Sequence, residues 1–231
     1  MFFRFADGQI TDGLPPADQA LQEPNGLVAA GGELNATTLI AAYSGGIFPW
    51  FNDDQEAVLW WSPNPRAVID PRAPRVPRSL AKRIRAGTFE ITADRAFNRV
   101  ISECAALREQ AEGTWITERM RAAYGELHRL GYAHSVEVWE NKNLVGGLYG
   151  VALGGVFFGE SMFSRSRDAS KVAFVRLCAE LADRGFGLID GQVRSDHLTS
   201  LGAVDMSREE FLSAVAELIE RPGWSGQWSF D

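Results

Sequence analysis

Asp190 and Gln192 stand two positions apart where an apolar run closes, Gly187-Leu188-Ile189-Asp190-Gly191-Gln192-Val193. A second apolar run, Gly154-Gly155-Val156-Phe157-Phe158-Gly159-Glu160-Ser161, also closes on a carboxylate. An uncompensated ionised group is costly to desolvate, so Glu160, Asp190 and Gln192 either cap strands at a solvent edge or line a pocket. In an extended Ile189–Val193 segment, alternation places Asp190 and Gln192 on one face. A carboxylate beside a carboxamide can hold that amide in one orientation, which suits positioning a reacting group. The plainer reading is that both satisfy backbone groups at a strand end.

Other candidate chemistry is thin. Cys104 and Cys178, the only cysteines, sit among apolar neighbours in helical patterns and are expected to be buried free thiols. His128, His134 and His197 form no metal-ligand spacing with each other or with the cysteines, so no metal is expected, and no cofactor. His197 beside Asp196 invites a general-base reading, but its place in a short helical turn after a strand fits a surface or capping histidine.

The 231 residues suffice for one large domain or a small and a medium one. Hydrophobic residues at 45% and charged residues at 23% fit a soluble globular class. Met1–Asp7 lacks the apolar stretch of a signal peptide, and Leu144–Phe158 is broken by five glycines. Cytoplasmic residence without membrane association is the expectation, and nothing demands more than a monomer.

The net charge of −7 is unevenly spread. From Arg66 to Arg85 seven bases face one acid, a local +6 that leaves −13 for the remainder. That asymmetry fits either an anionic partner at one place or a solvated basic helix face. Pro77–Ala86 reads as a short helix closed by Gly87, with Arg78, Lys82 and Arg85 at i, i+4 and i+7 on one face, which raises the phosphate-binding reading.

These groups need a frame. Asn35 is a good N-cap for a helix Ala36–Ser44 that Gly45 stops. Phe48, Trp50, Phe51, Trp60 and Trp61 cluster about Pro49 and Pro63 as a small core or as a stacking wall for a base. Pro63, Pro65, Pro71, Pro74 and Pro77 mark an irregular connector, with a domain boundary at its start. Beyond it come a strand Phe89–Thr92, a helix Arg95–Leu107, and a helix capped by Thr117 and stopped by Gly131. Ser135–Trp139 alternates as a strand should, and turns at Asn141-Lys142-Asn143 and Gly154-Gly155 lead on into Leu144–Leu153 and Val156–Glu160, an antiparallel meander. A helix Ser170–Arg184 follows, with Val172, Val175, Cys178, Ala179 and Leu181 inward and Glu180–Arg184 as an i, i+4 pair. A strand Phe186–Val193, a turn Asp196–Leu201, a strand Ala203–Met206 and a helix Arg208–Ile219 complete the chain.

The expected fold class is α+β. A small N-terminal α/β domain (1–62) precedes a larger domain (63–231) with a mostly antiparallel mixed sheet flanked by helices. Meander, helix, strand, short helix, strand is the order of the acyltransferase fold of the N-acetyltransferases, an analogy of architecture alone.

Three blocks resemble the leucyl/phenylalanyl-tRNA–protein transferases. The first runs from Glu23-Pro24-Asn25-Gly26-Leu27 through Gly46-Ile47-Phe48-Pro49-Trp50-Phe51 to Trp60-Trp61-Ser62-Pro63-Asn64-Pro65-Arg66. The second is Glu112-Gly113-Thr114-Trp115-Ile116. The third runs from Leu144-Val145-Gly146-Gly147 through Phe163-Ser164-Arg165, Ala169-Ser170-Lys171 and Asp190-Gly191-Gln192 to Ser200-Leu201-Gly202-Ala203. The likeness spans about residues 20 to 212. It implies transfer of leucine or phenylalanine, and methionine less well, from aminoacyl-tRNA to the N-terminal Arg or Lys of acceptor proteins, which marks them for N-end-rule degradation. It further implies that Trp50 and Trp115 hold the terminal adenosine, and that Leu148, Phe157, Glu160, Ser161, Leu181 and Ile189 surround the aminoacyl side chain. Asp190 and Gln192 would carry the chemistry, and Arg78, Lys82 and Arg85 would grip the acceptor stem. Gly191 stands where relatives often have cysteine, and Leu148 and Leu181 where some have methionine or phenylalanine.

Glu160 also has a structural reading, as an ion-pair partner of Arg165. Two rival functions are an acetyl-CoA-dependent N-acetyltransferase on the same fold and a non-catalytic RNA-binding module. Against the first, Phe163–Ser170 contains no glycine to let backbone N–H groups approach a pyrophosphate. Against the second, the Asp190/Gln192 pair would have no purpose.

Overall fold

The computed structural model describes residues 3–4, 13–109 and 114–230. Glu112 and Gly113 of the second block, and most of Met1–Asp7, lie outside the described residues.

The N-terminal part builds a small sheet from β1 (Phe3–Arg4), β2 (Leu27–Ala30), β3 (Phe48–Pro49) and β4 (Leu59–Trp61), in the order β1-β2-β4-β3. Between β2 and β3, α1 (Ala36–Ser44) starts where Asn35 accepts a hydrogen bond from the Thr38 N–H at 2.9 Å and ends at Gly45. The expected bounds of this helix are the observed ones. β2 and β4 have no counterpart in the sequence reading, because two to four apolar residues between turns carry too little periodicity to separate strand from loop.

The larger sheet begins with β5 (Arg66–Ile69). α2 (Arg78–Ala86), β6 (Glu90–Ala93), α3 (Phe97–Glu109), α4 (Glu118–Arg129), β7 (Ala133–Glu140), β8 (Asn143–Leu153) and β9 (Val156–Ser164) follow. α5 (Ala169–Asp183), β10 (Leu188–Gln192), α6 (Asp196–Leu201), β11 (Val204–Met206) and α7 (Arg208–Leu218) complete it. Its seven strands run β11-β5-β10-β9-β8-β7-β6. Within this sheet only the β9–β10 pair is parallel, so it is mixed and mostly antiparallel, as expected. The β7–β8 turn places Asn141 and Lys142 both at positive φ, 50° and 65°, the conformation that a tight hairpin with right-handed strand twist requires.

Two expectations change. The proline-rich connector contains β5, which lies inside the sheet between β11 and β10. Ala67-Val68-Ile69 is fully buried, and Pro65 and Pro71 stand just outside the strand, where they remove no ladder donor. On α5 the inward face is Val172, Ala173, Phe174, Leu177, Cys178 and Leu181, while Ala179 is exposed, so the stripe is rotated from the expected one. Glu180 does pair with Arg184, and with Arg176 at 2.5 Å. Both cysteines are buried free thiols, and burial pushes the Cys178 thiol up to about 12.

One hydrophobic cluster joins Val28, Leu39 and Trp60 of the N-terminal part to Tyr149 and Phe158 of the larger sheet and Phe211 of α7. A second, on the α5 side, holds Leu148, Phe157, Leu181, Ile189 and Trp228.

Candidate active site

Pairing between the parallel strands β9 and β10 stops at Phe158–Asp190, yet β9 runs on to Ser164. A cleft of about 590 Å³ opens beside this gap. Trp50, Trp115, Leu148, Phe157, Glu160, Ser161, Ile189, Asp190 and Gln192 all line it. Leu181 does not. It is buried behind the wall, in the cluster that holds Leu148, Phe157 and Ile189. Arg78, Lys82 and Arg85 lie on α2, outside the cleft lining, and all three are exposed.

β10 is not regular to its end. Its register against β5 shifts between Asp190 and Gln192, and Gln192 adopts φ 62°, a left-handed conformation uncommon for a residue with a Cβ. The Asp190 carboxylate supports the bulge, because its Oδ1 accepts the Gln192 backbone N–H at 2.8 Å. Simple alternation therefore does not describe this pair: the carboxylate holds the main chain of Gln192, and another group holds its carboxamide.

Asp190 is itself held by Arg66. Nε donates to Oδ1 at 2.8 Å and an η nitrogen donates to Oδ2 at 2.7 Å, both residues being fully buried. The other η nitrogen donates to the Gly46 carbonyl at 3.1 Å, and the guanidinium lies over the rings of Phe48 and Phe211. A two-pronged contact of this kind fixes both distance and orientation. Arg66 therefore does not belong to the basic surface counted from sequence. Arg72 is also neutralised, by Asp70 at 2.8 Å. The basic surface narrows to α2 and its approach.

Glu160 holds the Gln192 side chain: Nε2 donates to its Oε1 at 2.8 Å. Tyr43 from α1 donates to Oε1 at 2.7 Å and Tyr124 from α4 to Oε2 at 3.0 Å, and the two phenols also touch each other. The Glu160 carboxyl is raised to about 7, chiefly by burial and also by the nearby Asp190 charge, against the lowering effect of the hydrogen bonds from Tyr43, Tyr124 and Gln192. Both phenols are pushed well above their ordinary value, first by burial and then by the Glu160 charge. The partner expected for Glu160 in its structural reading is engaged elsewhere, since Arg165 bonds Glu103 at 2.7 Å.

Trp50 is 43% exposed, its carbonyl accepting from the Trp61 indole N–H at 2.9 Å, while Phe48, Phe51 and Trp60 are buried. Most rings of this aromatic cluster therefore lie in the core, and Trp50 faces the cleft. His197 stands at the cleft, 3.0 Å from the Met162 sulfur, and burial followed by Lys171 lowers its pKa.

The description "Leucyl/phenylalanyl-tRNA protein transferase" matches residues 68–216, and that family's N-terminal domain matches residues 32–64. A leucyl/phenylalanyl-tRNA–protein transferase of Thiobacillus denitrificans is 54% identical over 217 residues, covering 94% of this chain and 95% of the relative. One of Pseudomonas aeruginosa is 57% identical over 208 residues, covering 90% and 92%. The chain belongs to the leucyl/phenylalanyl-tRNA–protein transferase family. It is an aminoacyltransferase. Among solved structures, a GCN5-related N-acetyltransferase from Kribbella flavida aligns over 78% of this chain and 63% of its own at 11% identity, with a TM-score of 0.36.

The start of α5 in this transferase is poorly suited to pyrophosphate. Asp168 occupies the N-cap and pairs with Arg83 at 3.4 Å, and the Ser170 N–H is bonded to the Ser164 hydroxyl at 3.2 Å. A carboxylate at that position opposes a second anion. No helix among the described residues is long and apolar enough to cross a membrane.

Sequence reasoning missed Arg66, Tyr43 and Tyr124 as parts of the site. For Arg66 a signal existed: a lone base entering the apolar run Ala67-Val68-Ile69 must find a buried partner. The tyrosines carried none, because an inward Tyr on an amphipathic helix reads as core.

Proposed function

We propose that the protein moves leucine or phenylalanine, and methionine less well, from aminoacyl-tRNA to the N-terminal Arg or Lys of acceptor proteins. This reading places it in the cytoplasm, supplying substrates for N-end-rule degradation. The observation that carries it is the Gln192 carboxamide, clamped at its nitrogen by Glu160 and at its backbone by Asp190, on the wall of a largely apolar cleft.

The terminal adenosine stacks on Trp50 and Trp115, and the aminoacyl side chain enters among Leu148, Phe157 and Ile189, with Leu181 behind them and Ser161 and Glu160 at the polar edge. An apolar pocket separates side chains that differ by a methylene by only about 1–3 kcal/mol, so Leu, Met and Phe are accepted together. Arg78, Lys82 and Arg85 meet phosphates of the acceptor stem.

The ester is already activated, and the incoming α-amino group, with a pKa of roughly 7.7–8.0, supplies enough neutral amine without a strong base. With the Gln192 nitrogen committed to Glu160, its carbonyl oxygen is left to accept a hydrogen bond from the attacking amine. The new C–N bond forms as the ester C–O bond breaks, and the ribose oxygen leaves with a proton that came from the amine. Asp190 acts through Gln192, as a positioning residue whose oxygens are engaged by Arg66 and the bulge.

The test is single-turnover transfer from charged tRNA to an Arg-initiated peptide. Asp190→Ala and Gln192→Ala are expected to lose transfer and keep aminoacyl-tRNA binding; normal transfer by both removes them from the mechanism. Arg78→Ala or Lys82→Ala is expected to weaken tRNA binding and to lower the salt slope by about 0.7–0.9 per lost phosphate contact. A charged adenosine fragment without a stem should be less affected.

A further inference from the structure

Beyond α7 the chain is mostly exposed from Ile219 to Phe230; Ile219, Trp224 and Phe230 are half-buried, and Trp228 is buried at 1% exposure. This segment lies past the last residue matched by the family description, residue 216. Four contacts seat the indole. Its backbone N–H donates to Asp94 Oδ2 at 2.7 Å and its ring N–H to the Trp224 carbonyl at 2.9 Å. His134 stacks on one side at 3.9 Å and 3°, and Trp224 stacks at 4.1 Å and 11°. The Arg184 guanidinium covers Trp224 at 3.6 Å. Asp94 also bonds His134 Nδ1 at 2.8 Å, so tail and sheet share one buried carboxylate.

Phe186 packs edge-on at 6.4 Å, and one further neighbour matters for the transferase. Trp228 lies against Phe157, with ring centroids 6.0 Å apart, and Phe157 lines the cleft. Behind Phe157 there is no slack. A Cβ at Gly150 would stand 2.6 Å from the Phe157 Cζ, so the ring already rests on the backbone of β8. Gly150 is in turn the register partner of His134, the residue on which Trp228 stacks. Packed interiors transmit such constraints because they lack voids for a ring to move into.

We propose that Trp228 is a specificity-determining positioning residue: from behind, it fixes the Phe157 ring and so sets the depth of the aminoacyl side-chain pocket. The inference rests on the functional reading above. Removing the indole gives Phe157 room to retreat and deepens the pocket toward larger side chains.

The experiment measures initial transfer rates from tRNAs charged with leucine and with phenylalanine, for the full chain and for Trp228→Ala, Trp228→Phe and Trp224→Ala. Trp228→Ala is expected to raise the phenylalanine-to-leucine ratio about tenfold, the scale on which an apolar pocket reads a small volume change, with tRNA binding little altered. Trp228→Phe should shift the ratio the same way by a smaller factor, and it supplies the result if Trp228→Ala does not fold. Trp224→Ala strips an outer layer of the stack without touching Phe157, so it should lower the melting temperature and leave the ratio within about twofold. An unchanged ratio in a folded Trp228 variant, or an equal shift in Trp224→Ala, overturns the proposal. Absence of transfer by the unaltered chain would instead overturn the functional reading on which the proposal stands.

Discussion

Glu137 and Glu160 are buried glutamates two strands apart in the same sheet, and hydroxyl groups meet both. Glu137 on β7 is fully buried and accepts from Thr92 and, at 2.5 Å, from Ser135; the backbone N–H groups of Arg95 and Ala96 face it at 3.4 and 3.3 Å. Those last two donors lie at the entry to α3, where an anion is favoured by the helix dipole. Glu160 is met by side chains, Tyr43, Tyr124 and Gln192, each from a different element. It faces the cleft, and Glu137 does not. One carboxylate completes a helix start and so contributes to folding. The other is held through side chains alone among the described residues, is raised to about 7 by burial, and serves to orient Gln192. On the functional reading proposed above, Glu137 serves the fold and Glu160 serves the chemistry.

The sharpest way to break this contrast is to remove what each acid holds. Gln192→Ala is expected to lower the transfer rate by about 100-fold or more, the range for loss of a group that handles the proton of the reacting centre, with a melting curve close to the parent's. Glu137→Ala should do the reverse. It strands two hydroxyls and two N–H groups, costing on the order of 2–4 kcal/mol of stability, while transfer per folded molecule is unchanged. Calorimetry beside single-turnover rates reads both. A stable Glu137 variant with impaired transfer would dissolve the distinction.

A second difference lies in how stability follows pH. The folded-state carboxyl of Glu160 is raised to about 7 from an ordinary 4.5. Between those values the folded chain keeps a proton that the unfolded chain has released, so the contribution is full below about 4.5 and is lost as pH rises through about 7. Glu160→Gln, which cannot ionise, is expected to flatten that fall, worth on the order of 3 kcal/mol at most. Denaturant melts from about pH 4.5 to pH 8 test it. An equally steep decline in the variant would assign the pH dependence to other groups.

Much of this arrangement is legible in the sequence. α1 can be bounded to the residue because a capping Asn and a stopping Gly act locally, within one turn. The meander is legible because Asn141-Lys142-Asn143 and Gly154-Gly155 mark tight turns between successive apolar runs. Nine of the candidate residues line one cleft, since each resembles a motif position whose spacing the elements preserve. Long-range pairing is not legible. Arg66 and Asp190 are 124 positions apart, Tyr43 and Glu160 117 apart, and no local rule connects them. The bulge at Gln192 escapes for a related reason: regular alternation is the default for a strand, and the Asp190 contact that diverts it depends on Arg66 being buried alongside.

The smallest expected effect separates the two phenols. Each donates to Glu160, and donation to the ionised form lowers its pKa, with Tyr43 contributing more than Tyr124. Tyr43→Phe should therefore raise the carboxyl further, and Tyr124→Phe should raise it by less. If the ionised carboxylate is the species that fixes the Gln192 nitrogen, transfer climbs with pH through about 7 in the parent protein, and the climb shifts to higher pH in both variants. A displacement of half a pKa unit corresponds to about threefold less transfer on the acid side of the curve and little change on the alkaline side. Loss of packing would instead lower transfer by the same factor at every pH. Profiles of kcat against pH for the two single variants and the double variant distinguish these outcomes, and a uniform drop would return the tyrosines to the purely structural role of Glu137.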